Sequence, residues 1–237
     1  MNLLLLNARD MIDDNHAHID DHRAQHLLQV NQSMVGDSVK VGMLNGDLGT
    51  ATILDISNQS LSLEVELQRR PPKPLPLTLI MALPRPKMLK RTLQTIATMG
   101  VKELIFLNSY RVEKSYWQSP LLSADEIHKH LLLGLEQGGD TVLPKVEIRK
   151  RFKPFVEDEL PGLCQNRRAL VAHPYTATPC PPPSDEDTVL VIGPEGGFIP
   201  YEVEKLSEAG CQPVHLGERI LRVETAVPVL LAKLFNC

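Results

Sequence analysis

Val191-Ile192-Gly193-Pro194-Glu195-Gly196-Gly197-Phe198, with Leu216-Gly217-Glu218-Arg219-Ile220-Leu221-Arg222-Val223-Glu224-Thr225-Ala226 about twenty residues further on, is the part of the chain whose reading decides the fold. Each stretch reads as a buried strand that opens into a glycine-bearing loop and then a helix. Glycine lets such a loop bring backbone amides close to a flat or anionic ligand. Arg222 and Glu224 stand among Ile220, Leu221 and Val223. At least one is therefore expected to turn toward a partly buried partner, because a buried unpaired charge is costly. An internal ion pair of Arg222 with Glu224 or Glu195 is the structural alternative to a functional role.

Outward from these loops, strands and helices alternate. Leu77 to Leu83 is a continuous apolar strand, and Pro86 to Met99 is a helix with Pro86 in its first turn and Leu89, Leu93, Ile96 and Ala97 on one face. Leu104 to Leu107 is the next strand, followed by the loop Asn108-Ser109-Tyr110-Arg111. Ser123 and Glu126 have the spacing of a capping box for a helix burying Ile127, Leu131 and Leu135 and stopping at Gly138-Gly139. Strands follow at 145–150, 169–172, 189–192 and 214–216, with helices at 202–209 and 225–235. The Pro-rich run 178–184 reads as an exposed loop, since the alternation resumes after it. Such a pattern means an α/β domain with a parallel sheet covered on both faces, and these folds bind ligands at the carboxyl ends of their strands.

Before residue 77 the period is different. Val39/Val41, Ala51/Ile53/Ile56 and Leu61/Leu63/Val65/Leu67 alternate with polar residues, and turns fall at 45–47 and 57–59. Short strands at this spacing suggest a small β-barrel. Arg69-Arg70-Pro71-Pro72-Lys73-Pro74-Leu75-Pro76 cannot sit in a central strand or a helix interior. The expected domains are therefore 1–70 and 77–237. Residues 10–26 are rich in Asp and His, and His22 and His26 would share a helix face. Asp20 or Asp21 as N-cap, with Ala24, Leu27 and Leu28 buried and the histidines on the wet side, accounts for them without a metal.

Composition narrows the classes. The 237 residues are 43% apolar and 23% charged, as in a soluble globular protein. No apolar run reaches membrane-helix length, and Met1-Asn2-Leu3-Leu4-Leu5-Leu6 has neither the basic flank nor the apolar length of a signal peptide. Cys164, Cys180, Cys211 and Cys237 show no paired spacing, which favours reduced thiols in a cytoplasmic protein. The net charge of −4 conceals an uneven distribution: residues 1–76 carry −4, residues 77–155 carry +6 and residues 156–237 carry −6. A polyanion is expected on the middle segment, if anywhere, the alternative being an ordinary mixed-charge surface. Walker A, G-x-G-x-x-G, H-E-x-x-H and G-x-S-x-G motifs do not occur, so triphosphate, dinucleotide, zinc-protease and hydrolase chemistries are disfavoured.

IGPEGGF followed by LGERILRVETA closely resembles the RsmE family of 16S rRNA uridine N3-methyltransferases, in the SPOUT superfamily of S-adenosylmethionine-dependent RNA methyltransferases. The resemblance implies a PUA-like β-barrel before the proline run, an α/β trefoil knot after it, and a homodimer in which each pocket is completed by the other subunit. Carried over by position, it implies a cofactor pocket of Ala172, His173, Pro174, Gly193, Glu195, Gly196, Gly197, Leu216, Gly217, Ile220, Leu221, Arg222, Thr225 and Ala226. N3 methylation requires an extruded base that loses its N3 proton. Glu224 or Glu195 is the candidate to assist that loss, and Arg222 to stabilise charge on the uracil carbonyls.

On the substrate side the chain departs from the family. Gln94-Thr95-Ile96-Ala97-Thr98-Met99-Gly100 stands where a Q-K-x-x-E-L-G pattern is usual, Ser109-Tyr110-Arg111 where S-E-R is, Glu136-Gln137-Gly138-Gly139-Asp140 where E-Q-x-x-R is, and Val30-Asn31-Gln32 where V-L-R is. Methyl transfer to 16S rRNA in the small ribosomal subunit is the leading expectation. The alternatives are methylation of another RNA, or a non-catalytic RNA- or ribosome-binding role. Lys87, Lys90, Arg91 and Arg111 are the expected RNA contacts, with Arg9 and Arg23 as weaker candidates.

Overall fold

The computed structural model describes residues 2–175 and 178–236. Cys237 and Met1 lie outside the described residues. The chain forms two compact units, Met1–Lys73 with Leu132–Leu143, and Pro74–Leu131 with Pro144–Cys237.

The first unit contains β1 (Leu4–Leu6), β2 (His16–Ile19), α1 (His22–Gln29), β3 (Ser38–Met43), β4 (Leu48–Ser57) and β5 (Ser60–Arg69). Among the described residues these strands make one sheet in the order β1-β3-β4-β5-β2, with β1 parallel to β3 and the remaining pairs antiparallel. Period-two alternation sends Ala51, Ile53, Leu61, Leu63 and Val65 into its core with Leu4, Leu6 and Ala17. Each fully buried leucine contributes about 1.5–3 kcal/mol of transfer free energy. Asn58 and Gln59 turn the β4–β5 hairpin with φ of 49° and 66°, the left-handed conformation that two-residue hairpin loops need.

The Asp/His-rich stretch holds a strand that its composition hid. In β2 only Ala17 and Ile19 are buried, and four residues are too few for the period to stand out. Asp21 then caps α1 by accepting the backbone N–H of Arg23 at 2.9 Å. His22 is exposed and His26 half-buried, and no cluster of three metal-ligating side chains occurs among the described residues.

The second unit carries β6 (Leu77–Ala82), α2 (Pro86–Thr98), β7 (Glu103–Leu107), α3 (Ala124–Gly138, through Leu131), β8 (Lys145–Arg149), α4 (Phe152–Pro154), α5 (Leu160–Cys164), β9 (Arg168–Ala172), β10 (Thr188–Ile192), α6 (Pro200–Glu208), β11 (Gln212–Val214) and α7 (Val223–Leu234). Its sheet is wholly parallel, in the order β11-β9-β10-β6-β7-β8. Every residue of β6 and β10 is buried, Thr78 and Thr188 included, as central parallel strands that are otherwise wholly apolar should be. Ser123 Oγ accepts the Glu126 N–H at 3.3 Å, one half of the expected capping box, while the Glu126 carboxylate lies 3.5 Å from His130 Nε2.

A helical stretch from Phe152 to Cys164, between β8 and β9, escapes the sequence pattern. Pro154, Pro161 and Gly162 punctuate it into short turns, but Phe155, Val156 and Leu160 are buried against Ile80, Leu107, Val171 and Val191. Core packing holds together what propensity alone would break. Cys164, Cys180 and Cys211 are free thiols, the Sγ atoms of Cys164 and Cys211 lying 3.8 Å apart. No helix among the described residues is long and apolar enough to cross a membrane.

Candidate active site

Register places the site. Val214 pairs with Ala172, Ala172 with Ile192, Ile192 with Met81 and Met81 with Phe106, so β11, β9, β10, β6 and β7 reach one level together. The loops that leave them emerge side by side at the carboxyl end of the sheet, where doubly wound folds bind ligands. There the second unit has a cavity of about 930 Å³. Ala172, His173, Pro174, Gly193, Glu195, Gly196, Gly197, Leu216, Gly217, Ile220, Leu221 and Ala226 line it, together with Arg111.

Arg222, Glu224 and Thr225 do not line that cavity. Arg222 is the N-cap residue of α7, its carbonyl accepting the N–H groups of Thr225 and Ala226 at 2.9 and 2.7 Å, and its side chain is exposed. Of the two charges expected among apolar neighbours, Arg222 stands in water and Glu224 is half-buried, and no ion pair joins Arg222 to Glu224 or Glu195 among the described residues. Apolar flanks misled because Ile220 is itself 66% exposed. Glu195 instead accepts the backbone N–H of Arg85 at 3.1 Å and lies 3.9 Å from Arg85 Nε. Its carboxylate therefore stands at the N-terminus of α2, where helix dipoles favour negative charge.

The two glycine loops have distinct constraints. Gly197 donates to Pro194 O at 2.7 Å and has φ of 72°; Gly217 donates to His215 Nδ1 at 3.0 Å and has φ of 117°. A Cβ at either position would meet nothing within 4 Å, so it is the left-handed backbone rather than lack of space that calls for glycine at both. His173 Nδ1 accepts the Tyr175 N–H at 3.4 Å, and burial holds the His173 imidazole below its ordinary pKa.

Among the expected RNA contacts, Lys87, Lys90 and Arg91 are exposed on α2 and Arg9 is exposed in the first unit. Arg111 is exposed too, but its guanidinium donates to Gly196 O, tying the loop after β7 to the glycine loop after β10. Arg23 is corrected: it is 9% exposed and committed internally. Its Nη1 and Nη2 meet Asp10 at 2.7 and 2.8 Å, Nη1 donates to Leu5 O at 2.6 Å, and Nε donates to Asp21 at 3.0 Å. No donor remains for a phosphate.

Sequence reasoning missed Glu202. It is 3% exposed, and its carboxylate accepts the N–H of Ile199 at 3.0 Å and that of Tyr110 at 2.8 Å. A glutamate two residues after Pro200 is legible as a helix-start residue, but the bond to Tyr110 crosses 92 positions and leaves no local signal. Tyr175, Phe198, Glu204, His215 and Arg219 also line the cavity.

Comparison with known proteins agrees with this geometry. The family model described as RNA methyltransferase domain matches residues 71–235. Ribosomal RNA small subunit methyltransferase E 1 of Borreliella burgdorferi is 26% identical over 95% of this chain and 94% of its own, and methyltransferase E of Treponema pallidum is 27% identical over 87% and 79%. A probable rRNA-methyltransferase of Porphyromonas gingivalis superposes with a TM-score of 0.70 at 26% identity, covering 97% of this chain and 94% of that one. Methyltransferase E of Neisseria gonorrhoeae, a structure bound to S-adenosyl methionine, shares the fold with a TM-score of 0.77 at 22% identity over 98% and 95%. The resemblance carried by IGPEGGF and LGERILRVETA is borne out, and the chain belongs to the RNA methyltransferase family, among relatives named ribosomal RNA small subunit methyltransferase E.

Proposed function

We propose that this chain is an S-adenosylmethionine-dependent rRNA methyltransferase whose product is N3-methyluridine in 16S rRNA. The carrying observation is the cavity formed where the in-register ends of β9, β10 and β11 release His173, the GPEGG loop and the Gly217 loop. Its size lies within the range of small-molecule sites. The residues fit the cofactor: Ile192, Phe198, Leu216, Leu221 and Leu230 offer an apolar wall, and Glu195 and Glu204 offer negative charge to a cationic ligand. When bound, that cofactor supplies an electrophilic methyl group.

The chain's own residues then hold and deprotonate the base. Glu195, fixed by Arg85, or Glu224 in the first turn of α7, takes the N3 proton, and Arg222 offsets charge on the uracil carbonyls. Lys87, Lys90, Arg91, Arg111 and Arg9 contact RNA phosphates. Residues 1–70 serve as a PUA-like barrel and 77–237 as the methyltransferase domain, with the C-terminal segment in a trefoil knot; the placement of β10 between β9 and β6 supports that threading. The family resemblance supports a cytoplasmic homodimer.

A second reading, methylation of a different RNA, is favoured by Asp140. It replaces the expected arginine and is 4% exposed, accepting the N–H groups of Thr141 and Val142 at 2.6 and 3.0 Å, so it belongs to a turn rather than to a phosphate contact. Incubating the chain with S-adenosylmethionine and small ribosomal subunits from a strain lacking its gene, followed by nucleoside mass spectrometry, decides. N3-methyluridine supports the first reading, another methylated nucleoside the second, and no methylated nucleoside removes both.

A further inference from the structure

The loop after β7 is pinned from several directions. Asn108 N–H donates to Arg149 O at 2.9 Å, and Trp117 Nε1 donates to Asn108 Oδ1 at 2.9 Å. Ser109 is 4% exposed, Val112 is buried and its N–H donates to Ser109 O at 3.1 Å. The Tyr110 N–H is held by buried Glu202 at 2.8 Å, and the Arg111 guanidinium is held by Gly196 O at the cavity wall. Tyr110 itself is 79% exposed. A large ring kept in water on a fixed loop forgoes the stabilisation that burial would bring. A fixed platform, in turn, loses little conformational freedom when something binds to it.

The surroundings select the occupant. Tyr110 adjoins Arg111, Glu113 and Lys114, all exposed, rather than the apolar ring of a protein interface core. Tyr175, 78% exposed, lines the same cavity that Arg111 lines. Every nucleobase presents a flat face to an aromatic ring whatever its sequence. We propose that Tyr110 is a stacking platform for an unpaired nucleobase of the RNA at the mouth of the cavity, an inference that rests on the RNA-modifying reading above.

The test is binding of a fluorescein-labelled oligouridylate to the full chain, by anisotropy, over a range of salt concentrations. Tyr110→Ala weakens binding about 5- to 150-fold, the loss of one stacked base, while Tyr110→Phe stays within about twofold because the ring is kept. The slope of log affinity against log salt is unchanged in Tyr110→Ala but falls by about one unit in Lys90→Ala, a phosphate contact. Thermal melting of Tyr110→Ala matches the parent, since an exposed ring is removed. Equal affinity of parent and Tyr110→Ala overturns stacking, as does a Phe variant as weak as Ala or a salt slope that changes as in Lys90→Ala. A parent that methylates subunits but does not bind the oligouridylate overturns stacking alone, and a parent that does neither overturns the rRNA reading as well.

Discussion

Replacing Glu202 with alanine tests whether one buried carboxylate holds two loops of the site in place. The carboxylate accepts two backbone N–H groups, from Ile199 at 3.0 Å and Tyr110 at 2.8 Å, at the first turn of α6. Hydrogen bonds to a charged group contribute about 1.5–3 kcal/mol each, and a carboxylate in a first helical turn adds about 0.3–1 kcal/mol. Against this, burying the carboxylate costs part of the gain, and water reaches the Tyr110 amide once the acceptor is gone. The net loss for Glu202→Ala is about 3 kcal/mol, and about half of that for Glu202→Gln, which keeps one acceptor oxygen. Urea unfolding followed through Trp117, the single tryptophan, reads it directly. With a slope of about 1–3 kcal/mol per molar, the Ala midpoint falls by about 1–3 M. Labelled-RNA affinity falls with it, since the amide beneath Tyr110 is released. A loss below about 1 kcal/mol, or a Gln variant as unstable as the Ala variant, refutes the two-bond account.

Two further outcomes concern stability. Arg23→Ala leaves Asp10 buried without its partner and costs about 3–5 kcal/mol, whereas Arg23→Met with Asp10→Leu removes both charges and recovers most of that loss; denaturation midpoints of the three chains check it. The second concerns pH. Burial holds the imidazoles of His130 and His173 below their ordinary range. At His130, Lys90 and Lys129 act in the same direction and Glu126 opposes them. Between those depressed values and about 6.5, the unfolded chain binds protons that the folded chain does not. Stability therefore rises with pH through that window and falls on acidification below about 6.5; His130→Gln flattens the dependence in a pH series of thermal melts, and an unchanged slope contradicts it.

Some of the molecule is legible residue by residue. Apolar runs at 77–83, interrupted by Thr78 alone, and at 189–192 mark strands buried on both faces, and Ala51/Ile53 with Leu61/Leu63/Val65 mark a sheet with one wet face. Pro86 opens α2 and the glycines bound the loops that line the cavity. These are local properties: period, backbone restriction and capping act over a few residues, and any chain carrying the pattern shows it.

Other features depend on residues that the sequence keeps far apart. Arg23 reads as a basic surface candidate, yet Asp10 and Leu5 O draw it into the first unit's core. Arg222 and Glu224 read alike as charges set among apolar neighbours, yet the start of α7 leaves Arg222 in water and Glu224 half-buried. Phe152–Cys164 becomes helical because its apolar side chains meet a sheet assembled from β6, β7, β9 and β10. The sequence by itself determined the α/β alternation, the glycine loops and the family those loops mark, because short-range backbone preferences encode them. Only the tertiary structure decided which charges face the cavity, which are buried in pairs, and that Glu202 holds Tyr110 across 92 positions, because burial and hydrogen-bond partners are properties of the assembled sheet.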